Sequence, residues 1–224
     1  MPAVLPGVNL RNRSAPSPEE CSLIKLGGSL LTMPGLRERL VANLQILAKY
    51  AIVVVGGGGL ADVVREWDRI HRLSTADSDR LATQTLSISA EFTRCLLPES
   101  GLVDDFHHAV ALLSEGRVPI VDVPRILTHS GIPKLPQSWE VTSDSMAATI
   151  AASWSLRELI LVKSASCPAG ESCENAASGG LVDQYFPLAV AEPLRVLWCD
   201  GRQETWRAET WLSGDDPAGE GILS

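Results

Sequence analysis

The sequence predicts an α/β protein, a three-layer αβα sandwich with a mainly parallel central sheet. Short apolar runs that end in glycine or polar residues alternate with longer stretches of helical spacing, which is typical of parallel strands covered by helices on both faces. The composition, 45% hydrophobic and 21% charged over 224 residues, is that of a globular chain with one large core. Residues 21–212 are therefore predicted to form a single domain.

Both ends of the chain lack the apolar periodicity of folded elements. Residues 1–20 are broken by four prolines and have neither the basic region nor the apolar run of a signal peptide. They are predicted to be a flexible lead-in. Residues 213–224 have a turn-rich composition, which predicts a flexible tail.

Five apolar runs have the length and residue types of buried strands. They are rich in valine, isoleucine and leucine, and glycine or polar residues bound them. A further extended piece is predicted at 137–142, before a helix. The predicted strands are 22–26, 51–55, 118–121, 159–162 and 194–199.

Six stretches between these runs have helical spacing of apolar residues. Two segments, 128–137 and 164–180, carry too many loop-forming residues for regular structure, and we predict that they are active-site loops. The predicted helices are 36–49, 60–70, 76–95, 106–114, 145–155 and 204–212.

Charge and cysteine content narrow the classes of protein that this chain could represent. A formal net charge of -8 and a pI near 5.0 oppose binding to nucleic acid or to an anionic membrane. No window offers the roughly 20 apolar residues of a membrane helix. Five cysteines without a CxxC pair, and four histidines without ligand spacing, indicate neither a disulfide framework nor a metal site. A cytoplasmic protein is predicted.

Two glycine-rich segments follow predicted strands, where ligands bind in open α/β sheets. Lys25, Leu26, Gly27, Gly28 and Ser29 are consecutive at the end of the first strand. Four consecutive glycines, 56–59, follow the second strand and lead directly into a helix. Glycine lets backbone N–H groups approach phosphate oxygens, and a helix N-terminus adds partial positive charge. The two segments therefore predict anion-binding turns that face one cleft.

Two other phosphate-binding motifs fit the sequence less well. Gly56, Gly58 and Ala61 loosely match the G-x-G-x-x-A of a dinucleotide fold, with Asp77 about 20 residues further on. That fold needs the acid at the end of a second strand, whereas Asp77 opens a long helical stretch. A Walker A motif is absent as well, because neither glycine run is followed by Lys-Ser or Lys-Thr.

Three charged residues are candidates for catalysis. Lys25 and Lys163 lie at the ends of predicted strands, where they can reach into the cleft. A lysine on a core strand is costly to bury unless an anion accompanies it, and such lysines stabilise charge in phosphoryl transfer. Asp144 opens the helix near 145, with Thr142 or Ser143 as its N-cap, and would hold a lysine in position or help to bind magnesium.

Residues 24–29, the tetraglycine 56–59 with 60–65 after it, and 142–145 resemble, in order, the signature segments of the aspartate, glutamate and uridylate kinase superfamily, also called the amino acid kinase superfamily. More narrowly, 138–145 and 200–202 are similar to short archaeal-type members, the kinases of methanofuran biosynthesis. The resemblance covers roughly residues 22–212. It implies an ATP- and Mg²⁺-dependent kinase that transfers the γ-phosphoryl group to a phosphate-bearing acceptor, with aminomethylfuran-methyl phosphate as the acceptor in that group.

The resemblance implies a role for each motif. Lys25, Asp144 and Lys163 would be catalytic. The residues that it places at the nucleotide and its phosphates are Gly27, Gly28, Ser29, Ser143 and Ser164. Those that it places on the acceptor side are Gly56, Gly57, Gly58 and Gly59.

The chain departs from the superfamily after the fourth predicted strand. Many relatives have an acidic loop there, whereas this chain reads Lys163-Ser164-Ala165-Ser166-Cys167. The change would either bring a second lysine into the site or alter nucleotide binding. Cys167 and Cys173 in the same loop are expected to be free thiols, with pairing or metal binding as alternatives.

Several functions remain open from sequence alone. Uridylate and isopentenyl phosphate kinases are sister possibilities, and a carboxylate acceptor of the acetylglutamate type is the next option. From another class, the chain could be a non-catalytic nucleotide-binding module. The resemblance also implies a homodimer or larger homo-oligomer, which we predict to form through helix 76–95.

Overall fold

The structure is a computed structural model that describes residues 15–213. Most of the predicted lead-in and almost all of the predicted tail lie outside the described residues, and the domain boundaries stay predictions. Residues 18–20 form one turn of 3₁₀ helix. Among the described residues, no helix is both long enough and apolar enough to span a bilayer.

A seven-stranded sheet forms the centre of the protein, in the order β3-β4-β2-β1-β5-β6-β7. All neighbouring strands are parallel except β7, which runs antiparallel to β6. The predicted fold class is confirmed. The strands are β1 (Ser22–Leu26), β2 (Ala51–Val55), β3 (Ser100–Val103), β4 (Val118–Val121), β5 (Glu158–Lys163), β6 (Arg195–Asp200) and β7 (Glu209–Leu212).

Helices cover both faces of the sheet. Five of the six predicted helices form within two residues of their expected bounds, and three short α-helices and the 3₁₀ helix Gly28–Thr32 were not predicted. The helices are α1 (Leu36–Leu47), α2 (Gly59–His71), α3 (Thr75–Leu96), α4 (Phe106–Ser114), α5 (Val123–Ile126), α6 (Ser143–Ser153), α7 (Cys173–Ser178) and α8 (Phe186–Ala189).

Side-chain alternation along the buried strands divides the interior into two cores. Leu23 in β1 packs in the core that contains α6, whereas the adjacent Ile24 packs in the core that contains α1. All five residues of β1 and of β2 are buried, as expected for strands covered on both faces. The apolar side chains of these strands therefore pack against helices on both faces and hold the three layers together.

The predicted helix at 204–212 is wrong. Residues 209–212 instead form β7, and contacts of Trp206 and Trp211 hold this segment in a non-helical conformation. The indole of Trp206 is fully buried, and its backbone N–H donates a hydrogen bond to Oδ1 of Asn43 over 2.8 Å. Trp211 packs against Phe186 and Trp198. Tertiary packing of the tryptophans therefore overrides the helical spacing.

Two other local predictions also failed. Strand β3 was missed because it is a four-residue edge strand that contains Gly101 and lacks a long apolar run. The extended piece predicted at 137–142 is a series of bends and turns. In addition, the loop at 164–180 contains the short helix α7.

The strand order places the candidate site. Strand β1 pairs with β2 on one side and with β5 on the other, so the chain reverses its direction of winding beside β1. Ligands in open α/β sheets bind beyond the carboxyl ends of the strands at such a reversal. The segments that follow β1, β2 and β5 are the ones that carry the predicted site residues.

Candidate active site

Lys25, Asp144 and Lys163 come together at the carboxyl ends of β1 and β5. Lys25 is in register with Leu161, which is two residues before Lys163, so both lysines project from the same face of the sheet. The Nζ atom of Lys25 lies 2.7 Å from Oδ1 of Asp144, and Nζ of Lys163 lies 2.6 Å from Oδ2. One carboxylate therefore bridges two ammonium groups.

The three charges share a buried environment. Lys25 and Asp144 are only 4% and 3% exposed. Burial alone would raise the pKa of Asp144, but attraction to Lys163 and Lys25 outweighs it and lowers that pKa to about 2. Burial lowers the pKa of Lys25, an effect that Asp144 opposes and Lys163 reinforces. Two ammonium groups share the carboxylate of Asp144, and Asp183 also attracts Lys25. An anionic ligand beside the two lysines would add a further favourable interaction.

The start of helix α6, which carries Asp144, is held by Asp183, a residue that no sequence motif marked. Its carboxylate accepts hydrogen bonds from the backbone N–H groups of Thr142 and Ser145, both at 3.0 Å, and from their two hydroxyls. Thr142 occupies the predicted N-cap position, but its own side chain makes no capping bond. Asp183 therefore takes the place of an N-cap side chain and fixes the turn that presents Asp144.

The two predicted anion-binding turns lie against each other. A Cβ atom on Gly28 would lie 2.1 Å from the backbone nitrogen of Gly58, and Gly58 itself has a positive φ of 54°. The backbone N–H of Gly56 donates to the carbonyl of Leu26 over 2.9 Å. Close backbone packing thus requires glycine at positions 28 and 58, whether or not these turns bind a ligand. Gly59 differs, because nothing lies within 4 Å of a Cβ added there.

The predicted nucleotide-side residues connect the loops after β1 and β5. The hydroxyls of Ser29 and Ser164 lie 2.8 Å apart and share a hydrogen bond. The backbone N–H of Gly27 donates to the carbonyl of Val162 over 2.7 Å. The Oγ atom of Ser143 lies 2.9 Å from the Cβ position of Gly56. Both glycine turns, the β5 loop and the start of α6 therefore meet around the lysine–aspartate cluster.

A cavity of about 550 Å³ opens on the other side of the glycine turns, between α2, α3 and the segment before α6. Of the four predicted acceptor-side glycines, Gly57 and Gly58 line it, Gly56 is buried beneath it, and Gly59 is exposed at the start of α2. Ser143 also lines the cavity, which places its inner end beside Asp144.

Sequence analysis assigned no role to the charged residues of this cavity, although Asp62 and Arg65 belong to the signature-like segment after the tetraglycine. The guanidinium of Arg65 pairs with Asp62 over 2.6 Å and stacks on the Trp139 ring, 4.6 Å from its centroid. Asp79 lies on the adjacent wall. Arg65 could have been found, because it lies two turns into the helix that begins at the tetraglycine. Asp79 and Asp183 have no comparable signal, since only tertiary packing brings them to the site.

Among the described residues, the cysteines form no disulfide and no side-chain cluster forms a metal site. Cys167 and Cys173 are free thiols, and burial raises the pKa of Cys173 to about 12. Within residues 15–213, no three His, Cys, Asp or Glu side chains lie close enough together to hold a metal ion. A magnesium ion here would therefore rely on the oxygens of a phosphate ligand and on water, which is the usual arrangement for this ion.

The parallel sheet, the glycine turns and the lysine–aspartate cluster define an α/β enzyme of phosphoryl transfer. Residues 20–166, more than half of the chain, match the amino acid kinase family. The chain belongs to this family, and the predicted superfamily and enzyme class are confirmed.

The individual proteins that this chain resembles share low sequence identity with it. A protein of Methanocaldococcus jannaschii named (5-(aminomethyl)furan-3-yl)methyl phosphate kinase is 27% identical over 143 residues, which are 62% of this chain and 63% of that protein. The match thus spans less than two thirds of the relative's length. Uridylate kinase from Archaeoglobus fulgidus has a TM-score of 0.53 at 17% identity, covering 79% of this chain and 89% of its own. UMP kinase from Ureaplasma parvum has a TM-score of 0.54 at 14% identity, and the match covers 84% of this chain and 92% of that chain. These two structures show a shared fold.

Proposed function

We propose that this chain transfers the γ-phosphoryl group of ATP to a small acceptor that already carries a phosphate. The acceptor that we propose is aminomethylfuran-methyl phosphate, in methanofuran-type one-carbon cofactor biosynthesis. One observation carries the reaction class, the Lys25–Asp144–Lys163 cluster, in which two ammonium groups share one buried carboxylate beside two glycine turns. The substrate is supported by the Methanocaldococcus jannaschii relative.

The transfer makes one bond and breaks one. An oxygen of the acceptor phosphate attacks the γ-phosphorus of ATP, the bond from that phosphorus to the β,γ-bridging oxygen breaks, and ADP leaves with the electron pair. The acceptor becomes a diphosphate. A phosphate oxygen is already anionic, so the attack needs positioning and charge neutralisation but no general base.

The chain's own residues would supply both requirements. Lys25 and Lys163 would neutralise charge on the transferring group, and Asp144 would hold both ammonium groups in place. Gly27, Gly28 and Ser29, with Ser143 and Ser164, would contact the ATP phosphates. The tetraglycine turn would hold the acceptor phosphate, with Gly57 and Gly58 facing the cavity. Mg²⁺ bound to the ATP phosphates would further neutralise their charge.

Phosphorus NMR of the protein with ATP, Mg²⁺ and each candidate acceptor tests this proposal. We expect the signals of a new diphosphate with aminomethylfuran-methyl phosphate, and none with the Lys25→Ala variant. A diphosphate formed only from uridylate or isopentenyl phosphate would keep the reaction class and reject the furan substrate. An acyl phosphate trapped by hydroxylamine would reject the phosphate acceptor, and ATP binding without turnover would support a binding module.

The proposal includes a cytoplasmic homodimer or larger homo-oligomer. The predicted contact helix, α3, exposes Ile88 and Phe92, which are four residues apart and 58% and 43% exposed. Trp67 and Ile70 of α2 are exposed as well, and α2 packs beside α3. Light scattering at micromolar concentration should give at least twice the monomer mass, and Phe92→Glu should reduce it. A monomeric mass for the unchanged protein would reject this part of the proposal.

A further inference from the structure

The acceptor cavity has two distinct ends, and one face of α3 connects them. Asp79, Ala82, Thr83 and Leu86 all line the cavity, at the spacing of a single helix face. Leu86 lies 3.6 Å from the Cβ position of Gly57, so its end of the face adjoins the glycine turn. Asp79 lies seven residues earlier, which is roughly 10 Å along the helix axis.

The carboxylates of the cavity differ in whether they are paired. Asp62 forms the ion pair with Arg65 described above. Asp68 accepts hydrogen bonds from Nε1 of Trp139 over 2.8 Å and from the hydroxyl of Ser78 over 2.7 Å, and these bonds lower its pKa. Neither Asp68 nor Asp79 forms an ion pair within residues 15–213. The two differ in the direction of their pKa shifts, because the two donors on Asp68 outweigh its burial, whereas burial outweighs the hydrogen bond to Asp79.

Asp79 is partly removed from water without compensation by a cation. Burial raises its pKa, and a hydrogen bond from the side chain of Gln137 opposes that shift. A positively charged group placed beside Asp79 would stabilise its ionised form.

We propose that Asp79 forms the amine-binding subsite of the acceptor cavity. The acceptor would then be a phosphate monoester with an ammonium group at its opposite end, separated from the phosphate by a small rigid scaffold. The phosphate faces Gly57 and Gly58, and the ammonium group faces Asp79. This inference rests on the proposed function, because it requires the cavity to be the acceptor site. It disfavours uridylate, whose base carries no cation to pair with Asp79.

Calorimetric binding without ATP tests the subsite separately from catalysis. The two ligands are aminomethylfuran-methyl phosphate and an analogue with methyl in place of aminomethyl. We expect the unchanged protein to bind the amine about 10- to 100-fold more tightly, the range for a hydrogen bond between charged groups. In Asp79→Asn the preference should fall below about 3-fold through weaker binding of the amine alone. Asp79→Glu, which keeps the charge, should retain most of the preference.

The matched control is Glu99→Gln, which removes one carboxylate beyond the far end of α3, away from the cavity. It should bind both ligands as the unchanged protein does. Equal affinity for the two ligands, or equal weakening of both by Asp79→Asn, would overturn the inference. If phosphorus NMR shows diphosphate formation while the affinities are equal, the proposed function stands without this subsite. An amine preference without phosphoryl transfer would support the subsite and reject the kinase proposal. No binding of either ligand would reject the subsite, and phosphorus NMR would then decide the proposed function by itself.

Discussion

The lysine–aspartate cluster, which is the proposed reaction centre, and the proposed acceptor cavity adjoin at the same glycine turns, but they differ in construction. At the centre, Lys25 and Lys163 extend from the ends of buried strands and share the carboxylate of Asp144. In this cluster Lys25 and Asp144 are buried, Lys163 is half-buried, and all three charged groups are paired. The cavity is built from faces of α2 and α3 and from a loop. Its Arg65 is half exposed, and its Asp79 lacks an ion-pair partner among the described residues.

This difference separates two tasks. A rigid, dry arrangement of charges suits the chemical step, because fixed charges in a water-poor site need no reorganisation during the reaction. A more open cavity with unsatisfied groups suits selection of the acceptor, because the ligand completes its interactions. Changes at the centre should therefore reduce the rate with every acceptor, whereas changes in the cavity should alter which acceptor binds.

The largest effect is expected from Asp144→Asn. This substitution leaves two buried ammonium groups close together without a counter-charge, which typically costs about 3–5 kcal/mol of stability. Loss of their positioning should also lower kcat by roughly 100- to 1000-fold with any acceptor. Urea denaturation and steady-state kinetics would measure the two effects. A kcat close to that of the unchanged protein would show that Asp144 does not organise the centre.

A paired substitution tests the packing of the glycine turns. In Gly28→Ala the new Cβ would overlap the backbone of Gly58, and we expect a loss of about 3 kcal/mol in the free energy of unfolding. Gly59→Ala is the matched control, because open space surrounds its Cβ, and it should change stability by less than about 1 kcal/mol. Equal stability of the two variants in urea would contradict the close contact between the turns.

The paired state of Asp144 predicts how stability depends on pH. Its pKa falls from an ordinary value of 3.8 to about 2 in the folded protein, so the unfolded chain binds the proton more readily. The resulting stabilisation is present above pH 4 and is lost as the pH falls toward 2. Its size is on the order of 2 kcal/mol. Urea denaturation between pH 5 and 2 should show a steeper loss for the unchanged protein than for Asp144→Asn, and parallel curves would contradict the assignment.

A smaller and more selective effect is expected in the cavity. Arg65→Ala removes a cation from the lining of the proposed acceptor cavity, and KM for the phosphate-bearing acceptor should rise about 10-fold while kcat changes little. Arg69→Ala, one turn further along α2 and outside the cavity lining, is the matched control. A fall in kcat with unchanged KM would place Arg65 in the chemical step and remove the distinction between the two regions.

The difference between the strand-end cluster and the cavity also explains which features could be predicted from the sequence. The fold class and the central strands were predictable because β1, β2 and β5 are short apolar runs whose residue types match full burial. The meeting of Lys25, Asp144 and Lys163 was predictable because the two lysines lie at strand ends and the aspartate opens a helix, and their catalytic role stays a proposal. Lys25 and Lys163 lie at strand ends, where parallel strands deliver side chains to one edge of the sheet.

The remaining features depend on contacts between distant segments. Asp183 acts on α6 from about 40 residues further along the chain, within a stretch that has no regular pattern. Asp79 reaches the cavity only because α3 packs beside α2. Residues 209–212 became a strand rather than a helix because pairing with β6 and burial of neighbouring tryptophans outweigh local preference. Such outcomes are decided by packing energies that sequence spacing does not encode.

Rapid-quench measurement of a single turnover tests the central role of the lysine–aspartate cluster most directly. Lys25→Ala would be compared with Lys49→Ala, an exposed lysine away from the site, at saturating ATP, Mg²⁺ and acceptor. We predict that the rate constant of phosphoryl transfer falls about 100- to 1000-fold in Lys25→Ala and is unchanged in Lys49→Ala. A Lys25→Ala protein that remains folded, binds both substrates and transfers the phosphoryl group at the unchanged rate would contradict this account.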